Sequence, residues 1–514
     1  MKKIDLGVIV TTLIIVTISC SLAFFAARVV GEPKDINLVA KNVAITFNDT
    51  SIIANGVVSP GWNTTKTFTI TNNSKEEYKY NISIKDLINT FVTEGYLQYK
   101  ITSTNDGYNM TEFKDIPKSS VATDTILAYS VSIPVGVTQS YTIEFKYAND
   151  ESVDQSDDMG KKLSGTLFIT EGTENIYAGY EEGTLGYQIM GDNPTRSTRS
   201  NNNNGKNEFS TPLTATTTGT LFKSTESITG ITDSPKEVYY YAGNTTNNWV
   251  KFANLYWRII RTNHDSSIRL LYVGTSHDTT DGNIGQSAFN TNRNSPKYVG
   301  YKYGEDTSLD TIRNNTTNST IKTFIDSWYQ NNLTNYTKYL STSAVYCNDR
   351  SEGTGQTYSV SADFNFAPYY RMDYDTDGTS ANPSYNCNDV RDAFSVDNTS
   401  AKLDYPVSLM TADEIAFAGG VAFQKMNTPY AWFISNSAGT QVSTYWWSLS
   451  PNYWSNGYAV VWFWVSDDTD LGNGSVGVTN AVRPAISLKS CIKYSTGDGT
   501  SESPYEIVET SSGC

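Results

Sequence analysis

An almost unbroken apolar run from Leu6 to Ala27 sits behind Met1-Lys2-Lys3, and the rest of the chain is largely polar and acidic. A helix rises about 1.5 Å per residue, so roughly 20 apolar residues cross the hydrocarbon core of a bilayer; this run is about that long. Lys2 and Lys3 lie on its short side, and the positive-inside bias therefore exports the C-terminal bulk. Asp5 and Arg28 weaken that bias without reversing it. Three readings of the run stand: an uncleaved single-pass anchor, a secretory signal cleaved among the small residues Ser21 to Ala27, or a lipoprotein signal ending at Cys20. All three export the chain, either tethered to the cell membrane or secreted.

No other long apolar stretch occurs in the 514 residues, which predicts two or three soluble domains behind one membrane segment. The net charge of -15 and the lack of a basic stripe exclude nucleic acid as an expected partner. His264 and His277 are the only histidines, so a Ser-His-Asp triad or a histidine-rich zinc site would have to use them. His264 reads as a turn residue between two strands, His277 falls in a polar stretch, and both are expected at the surface. Beyond Cys20, four cysteines allow three pairings. Cys347 with Cys387 and Cys491 with Cys514 is the most economical, and an oxidising exterior permits both bridges; the alternative is four unpaired thiols.

From about Asn37 to Glu171 apolar residues alternate with polar ones, as in strands with one buried face. Phe68 and Ile70 do so, as do Tyr78 to Ile84, Tyr141 to Tyr147, and Leu163, Leu167 and Ile169. Short strands separated by Asn, Gly and Pro predict an antiparallel β-sandwich. The segment resembles the TasA and camelysin type of surface and matrix domains through Thr69-Ile70-Thr71-Asn72-Asn73, Ile133-Pro134-Val135-Gly136-Val137-Thr138 and Gly165-Thr166-Leu167-Phe168-Ile169. Residues 174 to 237, with Asn201 to Gly205 and the threonines near Thr214 to Thr218, read as a linker. Within it Thr184 to Met190 could instead form a helix docked on a neighbouring domain.

Beyond Val238 aromatic residues cluster. A strand around Trp257 and its partner Ile268 to Val273 predict a hairpin through the His264 turn. Ile321, Phe324, Ile325 and Trp328 recur at helical spacing and predict an amphipathic helix over Ser319 to Asn332. Thr411-Ala412-Asp413-Glu414 opens a second helix as a capping box, and Gly419-Gly420 ends it. With Trp446-Trp447, Ser450-Pro451 and Val482-Arg483-Pro484, this stretch resembles the DUF6273-type domains of bacterial surface proteins, which are similar to the formylglycine-generating-enzyme branch of C-type-lectin-like folds. The resemblance covers about Val238 to Lys489 and implies a compact α+β domain with two helices, a small twisted sheet and long loops. The enzymes of that branch work through paired active-site cysteines, and the spacings here do not reproduce them, so no catalysis is carried over.

Asp373, Asp375 and Asp377 ahead of Gly378 form the sharpest local motif. Alternate carboxylates before a turn glycine can converge on calcium, although Ser384 stands where an EF-hand needs glutamate. Asp389, Asp392 or a backbone carbonyl would complete such a site; a solvated acidic loop is the other reading. Sugar-binding proteins stack pyranose faces on aromatic rings, whereas a packed core buries them. Trp446 and Trp447 are expected in the core, while Trp454 and its neighbour Tyr453 are expected as exposed ligand-binding rings.

The expected fold class is thus β-rich and multidomain: a membrane anchor or signal over residues 1–34, an antiparallel β-sandwich over 35–173, a linker over 174–237, and an α+β C-type-lectin-like domain with a C-terminal hairpin over 238–514. The expected role is a membrane-anchored surface protein whose head binds an extracellular glycan or protein ligand in adhesion, with calcium as the one candidate cofactor. A structural component of a surface or matrix layer is the alternative, and an extracytoplasmic enzyme comes third.

Overall fold

A computed structural model describes residues 36–40, 43–49, 58–173, 176–202, 206–372, 381–442 and 445–514. The apolar run Leu6 to Ala27, with Cys20, lies outside the described residues, as do Asp373, Asp375 and Asp377. Among the described residues no helix is long and apolar enough to cross a membrane. The protein is β-rich and divides into two compact units, Met1–Asn175 and Ile176–Cys514.

The first unit contains two antiparallel sheets. Its strands are β1 (Ile36–Ala40), β2 (Val43–Asp49), β3 (Asn63–Asn72), β4 (Tyr78–Asn89), β5 (Leu97–Ser103), β6 (Lys114–Asp115), β7 (Ser119–Ile133), β8 (Thr138–Tyr147) and β9 (Leu163–Glu171). One sheet has the order β1-β2-β3-β8-β5-β6 and the other β7-β4-β9. The two-residue alternation sends Phe68, Ile70, Ile101 and Ile143 of the first sheet into one core with Tyr80, Ile82, Ile133 and Ile169 of the second. That shared core makes the pair of sheets a sandwich, as the alternation predicts. The Tyr80 hydroxyl crosses it, 2.5 Å from both Gln139 Oε1 and the Tyr141 hydroxyl, so a buried polar group keeps partners.

The second unit is built on a ten-stranded and a six-stranded sheet. In the larger, Leu255–Thr262 pairs antiparallel with Ile268–Gly274 as the predicted hairpin, and Ile268–Gly274 pairs in turn with Pro484–Leu488. The C-terminal hairpin of Tyr494–Thr496 and Tyr505–Ile507 joins the same sheet beside Trp249–Phe252. The smaller sheet centres on Trp446–Ser455 and Tyr458–Val465. Trp446, Trp447, Trp462 and Trp464 are fully buried there, as expected for the first two.

The described residues between 176 and 237 belong to the second unit and are not a linker. They carry helix α1 (Leu185–Asp192) and the strands Thr195–Thr198 and Thr220–Glu226, which pair in parallel at the edge of the ten-stranded sheet. Leu185, Ile189 and Met190 lie in the main core, which realises the docked-helix reading of this segment. Helix α2 (Thr320–Asn332) begins on Ser319, whose Oγ accepts from Lys322 N at 3.2 Å. It turns Ile321, Ile325 and Tyr329 inward, leaving Phe324 and Trp328 on the flanks of the expected apolar face.

After a short helix α3 (Ala367–Arg371), helix α4 (Ala412–Ala418) has the predicted capping box: Glu414 N donates to Thr411 Oγ1 and Thr411 N to Glu414 Oε2, both at 3.0 Å. Gly419 ends it at φ 120°, where a Cβ would lie 2.4 Å from Leu213 O. Thr411→Ala is expected to lower stability by about 1 kcal/mol, read as a shift in the urea midpoint at constant slope. An unchanged midpoint would show that the hydroxyl contributes nothing to the helix start.

Candidate functional site

A dense collection of charged side chains lies inside the second unit, at the start of α4. Arg261 donates through Nη2 to Glu226 and through Nε to Glu414, each at 2.8 Å. Arg269 donates to the same Glu414 Oε1 at 2.6 Å. Beside them Arg371 donates to Asp349 at 2.6 Å and forks onto Asp413 at 2.8 and 3.0 Å. Strand geometry puts Arg261 and Arg269 on adjacent strands facing the helix terminus, and their guanidinium planes lie over the rings of Tyr385 and Tyr346.

Burial alone would raise the Glu414 carboxyl, but Arg269 and Arg261 hold it below its ordinary value. Glu226 is likewise depressed, its burial opposed by Arg261 and His264, and Asp349 by Arg371. The cavity among these groups is about 20 Å³, room for about one water. Three guanidinium groups therefore occupy four carboxylates around a space too small for an organic ligand, and the cluster locks α4 to the larger sheet. The sequence motif at Thr411 to Glu414 revealed the cap; the arginine partners, far away in the chain, carried no local signal.

His264 corrects the expectation of a surface residue. It does occupy the turn, yet its side chain is largely buried with Nδ1 3.4 Å from Glu226 Oε2, because the hairpin folds the turn back onto Glu226. His277 is also half-buried, its Nδ1 2.9 Å from Ser437 Oγ and its ring edge-on to Trp249 and Tyr256. Cys347 bonds Cys387 and Cys491 bonds Cys514, the economical pairing. Paired cysteines fit an oxidising, extracytoplasmic setting.

Asp389 and Asp392, the residues that would complete a calcium site, are both occupied by arginine. Asp389 accepts from Arg391 at 2.6 and 2.9 Å, which with Arg313 nearby holds its carboxyl at about 2. Asp392 accepts from Arg313 at 2.6 Å and from Arg350 at 2.7 Å. Among the described residues no group of three or more His, Cys, Asp and Glu is arranged to hold a metal ion.

Tyr453 and Trp454 part company. Consecutive strand residues point to opposite faces, and the short strand Phe364–Asn365 pairs here so that Phe364 opposes Trp454 and Asn365 opposes Tyr453. Trp454 and Phe364 turn inward, 5% and 3% exposed, so Trp454 is a core residue and not the exposed ring expected. Tyr453 stays half-buried on the outer side with Asn365. The ring of Tyr369, from α3, meets Tyr453 edge-on at 6.3 Å and Tyr370 at 5.1 Å. Gln356 and Asn365 donate their amides to the Tyr370 hydroxyl at 3.0 and 3.3 Å. Nearby Asp363 accepts from Ser455 Oγ at 2.7 Å and from Asn456 N at 3.1 Å. Tyr369 itself is buried, whereas Tyr453, Tyr370, the two amides and the carboxylate reach the surface; along the chain α3 precedes Asp373, Asp375 and Asp377, which lie outside the described residues. Of this group only Tyr453 carries a signal in the sequence; Tyr369, Tyr370, Asn365 and Gln356 do not, because a two-residue strand and a one-turn helix have no periodic pattern.

No family model matches the chain, and no curated protein matches it. Among solved structures, a chain described as "AvmM Catalyzes Macrocyclization in Alchivemycin A Biosynthesis" aligns with 28% of this chain and 97% of its own length, at 11% identity and a TM-score of 0.16. Similarity at that level carries no argument about fold or activity.

Proposed function

We propose that this chain is a bacterial cell-surface protein, held at the membrane through Leu6 to Ala27, in which a β-sandwich carries a C-type-lectin-like head that binds an extracellular glycan. The surface around Tyr453 supports this reading best. Tyr453 and Tyr370 offer ring faces and edges to a pyranose, and the polar groups beside them, Asn365 and Gln356 on the Tyr370 hydroxyl and Asp363 on Ser455 and Asn456, would exchange those bonds for sugar hydroxyls. The buried charge cluster, by contrast, leaves no volume for a ligand and serves the fold. Calcium is the cofactor this reading carries, with Asp373, Asp375 and Asp377, outside the described residues, as the carboxylates that would take it.

The full chain in detergent, screened on a glycan array with and without calcium, is expected to select a glycan. Tyr453→Ala should weaken the best ligand about tenfold, the equivalent of roughly 1.4 kcal/mol, while leaving the unfolding midpoint close to that of the parent. No binding on the array, or parental binding by Tyr453→Ala, would overturn the proposal.

A further inference from the structure

A second surface, confined to the first unit, has the make-up of a binding site in its own right. At one end of the outer face of the β3–β8–β5 sheet lies a cleft of about 310 Å³, within the range of small-ligand sites. Trp62 and Phe113 form its apolar walls, and Asn63, Thr65, Glu144 and Lys146 supply polar groups. Strand register explains the meeting: Asn63 opposes Lys146 and Thr65 opposes Glu144 across β3 and β8, so all four side chains leave the sheet on one face. Phe113 reaches the same rows from the chain before β6, with the Lys146 ammonium 3.9 Å from its ring centroid.

The face continues from the cleft as a ladder of hydroxyls. Thr65, Thr67, Thr69 and Thr71 alternate along β3 with the inward Lys66, Phe68, Ile70 and Asn72, and Thr138, Ser140 and Thr142 run beside them on β8. Successive threonines on a strand are about 6.8 Å apart and the strands about 4.8 Å apart, so hydroxyls and methyls repeat in two directions. The strand preference of threonine explains a ladder on a solvent face. It does not explain why the ladder ends in an aromatic-walled cleft with one cation and one carboxylate.

We propose that this cleft and the ladder beyond it bind an extended, ribbon-shaped β-linked glycan. One pyranose of the ribbon would lie between Trp62 and Phe113, oriented by Glu144 and Lys146, and the following sugars would lie along the threonine rows. An extended ribbon with apolar ring faces and lateral hydroxyls matches a straight two-strand row that alternates methyl and hydroxyl; a coiled α-linked glycan does not run along such a row. The site is independent of the surface at Tyr453, in another unit.

Titration calorimetry of the full chain in detergent with cellohexaose, with dextran as the coiled comparison, tests this. Cellohexaose should bind and dextran should not. Trp62→Ala and Phe113→Ala should each weaken cellohexaose at least tenfold, and Lys146→Ala several-fold. Because Trp62 also packs on the sandwich core, circular dichroism checks its fold, while Phe113→Ala and Lys146→Ala carry the test if Trp62→Ala unfolds. Tyr453→Ala should leave this binding unchanged. The proposal is overturned by absent cellohexaose binding, by dextran binding equally well, by parental affinity in Phe113→Ala and Lys146→Ala, or by loss of binding in Tyr453→Ala alone.

Discussion

Replacing Glu414 by glutamine should destabilise the second unit by about 3 to 5 kcal/mol, the usual consequence of removing one partner from a buried charge pair. Two guanidinium groups, Arg261 and Arg269, direct a bond to the same Glu414 oxygen, and both are buried. Glutamine keeps the shape and could still accept a hydrogen bond, but it leaves two cations sharing what remains of their counter-charge. Guanidinium chloride unfolding followed by near-ultraviolet dichroism, which reports the packed tryptophans, measures the effect. The exposed Glu182→Gln should stay within about 0.5 kcal/mol of the parent. Equal midpoints for the two variants would refute the assigned role. The pH dependence follows from the same groups. Glu414, Glu226 and Asp349 have folded-state carboxyls held below their unfolded values. Their contribution is complete above the unfolded pKa, about 4.3 for glutamate, and is lost as pH falls through the depressed folded values. The parent should therefore weaken steeply below about pH 4, and Glu414→Gln should lose part of that acid limb.

Removal of the Cys347–Cys387 bridge should cost about 4 kcal/mol, from the chain entropy of a loop whose ends are 40 positions apart. The shorter Cys491–Cys514 separation of 23 gives about 3 kcal/mol on the same basis. The first bridge reaches further into the fold. Cys387 N donates to Ser227 O and its carbonyl accepts from Thr229 N, at 2.9 and 3.0 Å, while Ser384 N donates to Asp413 Oδ1 at 2.9 Å. Opening the bridge therefore frees the segment that seals one side of the charge cluster. Paired serine substitutions at each bridge, compared by denaturant midpoint with and without dithiothreitol, separate the two. A Cys347→Ser/Cys387→Ser variant as stable as the parent would sink this account. With the bridges already removed, dithiothreitol should have no further effect.

The parts of this structure legible in the sequence are those whose cause is local. A hydroxyl with glutamate three positions on marks the start of α4, the Ser319 hydroxyl caps α2 by accepting from Lys322 N, and two-residue alternation sends Phe68, Ile70 and Ile143 to one core. The segment from 174 to 237 failed for the converse reason. Its strand Thr195–Thr198 is four residues long, and its partner lies beyond a stretch of threonine and proline that carries no period. Leu185 N donates to Ile492 O, some three hundred positions away. Trp454 is buried although its neighbours Asn452, Ser455 and Asn456 are polar, because a strand with one buried face turns consecutive residues to opposite sides. At the candidate site the one aromatic named in advance, Tyr453, belongs to a long strand. Its companions belong to short elements that exist only because tertiary contacts hold them.

The bridge between Thr184 and Lys493, with the adjoining Leu185 to Ile492 hydrogen bond, brings the beginning of the second unit against its end. The unit is thus fastened like a clasp, with both leaves meeting at one seam. A pull on the chain at residue 176 therefore loads the same seam that holds the terminal hairpin, which Cys491–Cys514 ties back, so the two ends of the unit would come undone together.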